Sequence, residues 1–394
     1  MIRPLPLAAL LLAASVIPPT GAVAAQPRVT KDAPNGNGAF VVRLGSDTLA
    51  VERYTRTGNH VEGDIVNRTP NVRVTHYVVE LDPSGRVTRA LIASRQPDGS
   101  LLPNTAKAAT VTFRGDSALS EVLTAADSTV RLGVRVPAGA VPGIANSYAM
   151  YELALTQLRR AGAASGAIVP YSIGAQGANA LEVTLDGTRA TMDYFGDPVA
   201  ITTDAAGRIL TVDGTRSTNK IVAQRVPTAD IPSIARGFAA RGALGATSPR
   251  DTVRAAVGGT QLWIDYGRPS VRGRTVWGGL LVPYNAVWRT GANAATQIST
   301  SSDLVIGGVT VPAGKYTLWT WAAPEGYQLV INKQTGQWGT EYKADQDLAR
   351  VPLTATPLAR PVEQFTFAVD PVPNGGRIRM LWGDRQLSVP FTVK

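Results

Sequence analysis

The stretch QLSVPFTV, residues 386–393, alternates apolar and polar side chains, so Leu387, Val389, Phe391 and Val393 fall on one side. A period of two is the spacing of a pleated strand with one face buried. Just upstream, RIRMLW (377–382) sets Ile378, Met380 and Trp382 against Arg377, Arg379 and Leu381, and QFTFAV (364–369) aligns Phe365, Phe367 and Val369. The segments PVPNGG (371–376) and IGGVTVPAG (306–314) carry turn residues between such runs. Strands of period two joined by Gly/Pro/Asn turns predict a β-sandwich or jelly-roll over residues 251–394. The segment from Arg268 to Ala295 has no clear period and is very long for a sandwich loop, a place where function often sits.

Residues 26–240 also predict a mainly β fold. TLAVERYTR (48–56), HVEGDIVNR (60–68) and VRVTHYVVEL (72–81) are rich in β-branched and aromatic residues and are broken by Gly, Asn and Pro. The pattern DPSGR (82–86) recurs as DAAGR (204–208); Asp can accept from nearby amides while Gly takes positive φ, which suits a hairpin with a bulge. One segment breaks the pattern. SYAMYELALTQLRRAG (147–162) has Ser147 as an N-cap, Arg159 and Arg160 late, Gly162 as terminator, and Tyr151, Leu155 and Leu158 at helical spacing. This predicts one helix near 147–161 facing a sheet, which resumes with ALEVTL (180–185) and continues to NKIVAQRV (219–226). A curved antiparallel sheet with one packed helix is the simplest assembly, and in architecture it resembles the half-barrel lipid carriers of bacterial envelopes.

Of 394 residues, 44% are hydrophobic and 17% charged, a globular composition long enough for two domains. All seven tryptophans lie from Trp263 onward and both histidines, His60 and His76, lie early. The predicted division is a leader at 1–25, a β domain at 26–240, a linker at 241–250 within RGALGATSPRD, and the sandwich at 251–394. The leader reads as an export signal: Arg3, the apolar core LPLAALLLAASVI (5–17) and the small-residue site AVAA (22–25), with cleavage near Ala24 or Ala25. That core falls short of the ~20 apolar residues a spanning helix needs, and no later run approaches them, so no membrane span is expected. The compartment is then the bacterial periplasm or the outside medium.

Cysteine is absent, which excludes disulfides, thiolate metal sites and cysteine nucleophiles. The formal charge of +10 favours anionic glycan, lipopolysaccharide phosphate or anionic lipid as partner, or else merely keeps the protein soluble. Nucleic acid is not expected, because export removes the chain from it and no recognition motif appears. The oligomeric state is left open.

The late half resembles the uncharacterised bacterial family DUF2911. The residues that carry the likeness are IDYGRPSVRGRTVWGGLLVPYNAVWRTGANAAT (264–296), GGVTVPAGKYTLW (307–319), VINKQTGQWGTEY (330–342) and DQDLARV (345–351), within 248–393. Family members usually carry an acidic residue after GAN, where this chain has Ala294. The resemblance implies boundaries and no activity.

The late half has neither His nor Cys, so neither a Ser-His-Asp site nor a histidine zinc site can be built within it. His60, Glu62 and Asp64 share a strand face and read as a polar exterior, and His76 as a half-buried side chain. No phosphate loop, dinucleotide fingerprint or calcium loop is present, and no cofactor or metal is called for. What remains is arginine mixed with aromatics: Asp265, Arg268, Arg272, Arg274, Trp277, Trp288, Arg289, Asn293, Trp319, Trp321, Asn332, Trp338, Tyr342, Asp347 and Arg350 are the candidate ligand-binding residues. Guanidinium binds carboxylate or phosphate, and tryptophan stacks on sugars. Equally, such arginines can cap carbonyls and pair with Asp265 or Asp347, with Arg289 tying the loop down, Trp288 buried as a plug and Gly291 supplying a special backbone geometry. Trp319 and Trp321 share a strand face as a possible sugar platform or pack under the loop. The expected function is binding of an envelope component or anionic glycan without catalysis, through the sandwich. The alternatives are an envelope hydrolase using carboxylates and Arg, or a lipid carrier using the half-barrel.

Overall fold

The computed structural model describes residues 36–394; the predicted leader lies outside them. The chain is mainly β, with large antiparallel sheets in its N-terminal and C-terminal parts. The first part runs β1 (Gly36–Leu44), β2 (Asp47–Thr57), β3 (His60–Asn67), β4 (Arg73–Leu81), β5 (Val87–Arg95), β6 (Ala108–Arg114), β7 (Ser117–Leu123), β8 (Thr129–Arg135) and β9 (Val141–Pro142). After α1 (Tyr148–Arg160) come β10 (Ser165–Ile168), β11 (Pro170–Tyr171), β12 (Leu181–Asp186), β13 (Arg189–Tyr194), β14 (Asp197–Thr203), β15 (Ile209–Asp213), β16 (Ile221–Val226) and α2 (Ile231–Arg241). Fourteen of these strands form one sheet in the order β10-β12-β13-β14-β15-β16-β1-β2-β3-β4-β5-β6-β7-β8, while β9 and β11 make a separate parallel pair. β1 therefore sits inside the sheet, between β2 and β16.

Both Asp-Gly turns form as expected. Asp82 accepts from the amides of Ser84 (2.8 Å) and Arg86 (2.9 Å), and Asp204 from those of Ala206 (3.0 Å) and Arg208 (2.9 Å). Gly85 and Gly207 take φ of 86° and 83°, each beside a register shift in its hairpin.

The predicted helix is α1, with Leu155 buried and Tyr151 and Leu158 packed against the core. Its cap differs from expectation. The Ser147 side chain caps no helix amide; its hydroxyl donates to Glu52 on β2. The Glu52 carboxylate accepts the amides of Tyr148 (2.8 Å) and Ala149 (3.1 Å) and the Tyr77 hydroxyl (2.7 Å). A strand carboxylate thus satisfies the orphan amides of the helix start. Further along α1, Glu152 accepts from the Ile209 amide (2.6 Å), the Tyr54 hydroxyl and Arg225, whose guanidinium lies 4.6 Å from the centre of the Phe40 ring. Phe40, Tyr148, Leu155, Ile168 and Ile201 fill the space between helix and sheet.

A second helix, α2, corrects the expectation of one. Asp230 caps it by accepting from the Ser233 amide at 3.1 Å, and Pro232 stands in its first turn, where a missing N–H costs nothing. Ile231, Ala235 and Phe238 of α2 cover the opposite sheet face, against Ala39, Val51 and Val66. Beyond it, the Leu244 amide donates to the Arg68 carbonyl and Arg68 Nε to that of Gly242, each at 2.9 Å, so the start of the expected linker is tied to the first part.

The second part contains β17 (Arg250–Val257), β18 (Thr260–Gly267), β19 (Ala286–Trp288), β20 (Thr296–Thr300), β21 (Leu304–Ile306), β22 (Val309–Val311), β23 (Gly314–Ala323), β24 (Gly326–Asn332), β25 (Asp347–Val372) and β26 (Gly375–Val393). The strand order is β17-β18-β20-β23-β24-β25-β26-β21-β22, with β19 added to β23. β25 pairs with β24 through residues 347–353 and with β26 from Thr354 onward, so one strand serves two layers. Between them Tyr266 meets Phe365 and Phe367 edge-on, with Ile378, Met380 and Trp382 beside them.

The two parts touch at the β1–β2 hairpin. Ser46 donates to the Arg272 carbonyl at 3.0 Å and Asp47 pairs with the Arg272 guanidinium. Gly45 takes φ 58°, and a Cβ there would collide with that same carbonyl oxygen. Arg272→Ala is expected to lower stability by about 1–3 kcal/mol, the cost of stranding a partly buried carboxylate, and to speed proteolysis between residues 242 and 249. Equal cleavage rates in the variant would show that the pair does not hold the parts together.

Candidate functional site

A cleft of about 1190 Å³ opens between the two parts. One wall comes from the tip of the β13–β14 hairpin and the loop before β16. Phe195 and Gly196 form that tip with φ of 55° and 89°, and Asp193 fixes it by accepting the Gly196 amide at 2.6 Å. Asp197 accepts the Thr218 amide at 2.7 Å and so holds the loop bearing Arg216 and Lys220 beside the hairpin. The other wall is the 268–295 segment together with residues 338–341. These two loops are zipped: Gly339 donates to the Asn293 carbonyl at 3.0 Å and Ala295 to that of Gln337 at 3.2 Å. Trp288 and Trp382, stacked at 5.4 Å, reach the floor.

The long segment is fastened throughout. Arg268 donates to the Phe365 carbonyl (3.1 Å) and Thr366 hydroxyl (2.9 Å) and pairs with Asp251 (3.0 Å). Arg274 donates to the carbonyls of Val271 (2.9 Å) and Ser270 (2.7 Å), and the Trp277 indole to that of Trp382 (3.1 Å). Trp288 is a buried plug, as expected. Gly291 needs correction. The left-handed positions flanking it are Thr290 and Asn293, with φ of 51° and 63°, whereas a Cβ on Gly291 would crowd the Gly267 carbonyl oxygen at 3.0 Å.

Of the fifteen candidates, Arg274, Trp288, Arg289, Asn293 and Trp338 line the cleft. The remainder lie elsewhere. Asp265 pairs with Arg250, Arg268 and Arg272 fasten the segment, and Trp277 is core. Asn332 (2.9 Å), Tyr342 (2.6 Å) and Arg350 (2.9 Å) gather around Asp347 in a closed polar group of their own. Trp319 is buried, donates to Thr317 at 3.0 Å and packs on Tyr342, while Trp321 is half-buried beside it, so this pair is no open platform. Phe195, Asp197, Arg216 and Lys220 come from the first part and were not among the candidates. Their signal in the sequence was weak, because a YFGD turn followed by a Ser/Thr/Asn loop reads as an ordinary hairpin and connection.

Four cationic side chains, Arg216, Lys220, Arg274 and Arg289, line the cleft against two carboxylates, Asp197 and Glu341. Burial depresses the Lys220 ammonium below its usual range and repulsion from Arg289 and Arg274 adds to this, with Asp197 opposing. Burial also depresses Arg289, again against Asp197. The Arg289 side chain makes one long bond, 3.4 Å, to the Asn293 carbonyl, while Asp265 and Asp347, its expected partners, are occupied by Arg250 and Arg350. Two aromatic side chains stand exposed among the described residues, Phe195 at 56% and Trp338 at 48%, and both line this cleft.

The second wall lies in the segment whose sequence resembles DUF2911, and a comparison with family sequence models bears this out. Residues 248–391 match the family described as "Protein of unknown function (DUF2911)". The DUF2911 region therefore spans β17 through β26, and no family matches the first part. No curated protein matches the chain. Among solved structures, a DUF1089 family protein from Pseudomonas aeruginosa is similar at 13% identity and a TM-score of 0.30, covering 42% of this chain and 90% of that one. A likeness so slight bears on neither fold nor activity. The DUF2911 region thus supplies Arg274, Trp288, Arg289 and Trp338, and its neighbour supplies the rest.

Away from the cleft lining, His60 bonds Glu80 (2.8 Å) and His76 bonds Asp64 (2.9 Å) on the polar face of β3 and β4. This is the polar exterior expected for His60, Glu62 and Asp64, and His76 joins it half-buried. Among the described residues no group of three or more His, Asp or Glu is placed to hold a metal ion.

Proposed function

We propose that the chain is an exported binding protein whose cleft takes an anionic glycan. Carboxylate or phosphate groups of the ligand meet Lys220, Arg274 and Arg289, and a sugar ring stacks on Trp338 or Phe195. The observation that carries this reading is the coincidence of the exposed aromatics with four cations in one concave site. Apolar faces suit the C–H surface of a sugar, and partly desolvated guanidinium groups hold acid groups through charge-assisted hydrogen bonds. In this reading the expected sandwich supplies one wall of the site and the first part supplies the other. The lipid-carrier alternative is less well supported, because side chains fill the space under α1.

The direct test is titration with oligogalacturonate and with glucose 6-phosphate, using neutral oligoglucose as control. Binding of either acidic sugar that weakens with salt is expected; equal affinity for the neutral sugar would refute the reading. Cleavage of the probe would replace it with the hydrolase.

Proton linkage gives a second test. The Lys220 ammonium is depressed in the free cleft, and an anion beside it lifts it back toward the ordinary lysine range. Between those two values, binding must take up a proton, and affinity must fall as pH rises through the window. Calorimetry in buffers of different ionisation heat should show uptake that Lys220→Met abolishes. Uptake unchanged in Lys220→Met would place the proton elsewhere and the ligand away from Lys220.

A further inference from the structure

A second surface, remote from the cleft in the strand order, follows from β8. It closes one end of the fourteen-stranded sheet, and residues 129–133 and Arg135 are exposed, with Val134 half-buried. Open strand edges are templates for pairing, and folded proteins blunt them with short strands, bulges, prolines or inward charges. The opposite edge, β10, has four residues and is backed by α1, where a Cβ on Gly166 would strike Leu158. Of these devices, and of the edge charges that serve the same end, β8 has only Arg131 and Arg135, each paired within its own sheet, with Glu121 at 2.8 Å and Asp116 at 3.8 Å. Its seven residues pair with β7 without a register shift, and it contains no proline.

The pairing with β7 determines what β8 still offers. Val136 donates to the Asp116 carbonyl and Thr124 to that of Ser128, both at 2.8 Å, so the even-numbered residues bond inward. Alternation then turns the amides and carbonyls of Thr129, Arg131, Gly133 and Arg135 to the open edge. On one face stand Val130 (45% exposed), Leu132 (37% exposed) and Val134, and on the other Thr129, Arg131, Gly133 and Arg135.

We propose that β8 is a dimerisation edge on which a second copy of this chain docks antiparallel, centred on Leu132. In that register Leu132 faces its own copy, Val130 faces Val134, Arg131 faces Gly133 and Thr129 faces Arg135. All seven residues overlap, the open amides and carbonyls exchange bonds, and the apolar pairs fall at the close, non-hydrogen-bonded positions. Shifting the register by two residues in sum either way sets Arg131 opposite Arg131 or opposite Arg135, a like-charge contact. Charge therefore selects the one register that also has full overlap. Arg131 is already balanced by Glu121 of its own sheet at 2.8 Å, which lowers the long-range repulsion between copies.

Sedimentation of the whole chain from about 1 to about 300 µM, the range of modest strand-pairing affinities, reads this out. Dimer is expected to form across that range. Gly133 is the probe, since a Cβ there meets nothing within 4 Å and the fold is left undisturbed. Gly133→Arg sets a guanidinium opposite Arg131 twice per dimer and should weaken association at least about tenfold. Gly133→Glu sets a carboxylate there and should tighten it, a gain that added salt removes. A chain monomeric at every concentration, or a dimer that neither variant alters, would overturn the proposal.

Discussion

Replacing Glu52 by alanine is expected to remove about 3–5 kcal/mol of folding stability, the cost of leaving several buried hydrogen-bond donors unsatisfied at about 1–3 kcal/mol each. The carboxylate is fully buried and receives the Tyr77 and Ser147 hydroxyls and two amides of α1. Alanine leaves all four donors buried without their acceptor. Glu52→Gln keeps an acceptor oxygen and should lose less. The same burial raises the Glu52 carboxyl above the ordinary carboxylate range, and the hydrogen bonds only partly offset this. A raised acid favours its neutral form in the fold, so its contribution falls as pH rises from the unfolded value through the folded one. Denaturant titrations of wild type and variant over that window check both points. A Glu52→Ala chain as stable as wild type would mean that α1 is held by Glu152 and packing alone.

The second large effect is on binding. Arg289→Ala should leave stability within about 1 kcal/mol of wild type, since among the described residues the guanidinium forms no salt bridge, Asp197 acting on it only at a distance, and its burial opposes its charge. Affinity for an acidic sugar should fall about 100-fold, as for losing a charge-assisted bond to a ligand. Melting and titration on the same sample separate the outcomes. A loss of several kcal/mol with binding intact would return Arg289 to the role of a loop fastener.

Much of the fold was legible because it rests on local periodicity. Leu387, Val389 and Phe391 are buried and Gln386 and Thr392 are not. The Asp-Gly turns and α1 carried their signals within a few residues. Features made by distant segments were not legible: Glu52 caps a helix start 95 residues away, which no motif at Ser147 reveals. α2 was missed because IPSIARGFAAR offers a narrow apolar face, with Ile231, Ala235 and Phe238 alone fully covered. In the site, the arginines of the DUF2911 region were visible as residue types, but which of them fasten the loop depends on carbonyls and carboxylates contributed by β17, β25, the loop itself and the first part. Phe195 and Lys220 were invisible because a cleft between two parts has no sequence period.

The seam between β1 and β16 joins Leu44 to Ile221 and Ala39 to Val226. Nearly the whole first part must therefore emerge before its opening strand can gain its second neighbour. Closing so long a loop is entropically expensive, and chains dominated by such distant pairings fold slowly. Until then the chain presents β1 with one flank bare, the state in which an unpaired strand edge is most open to wrong pairing.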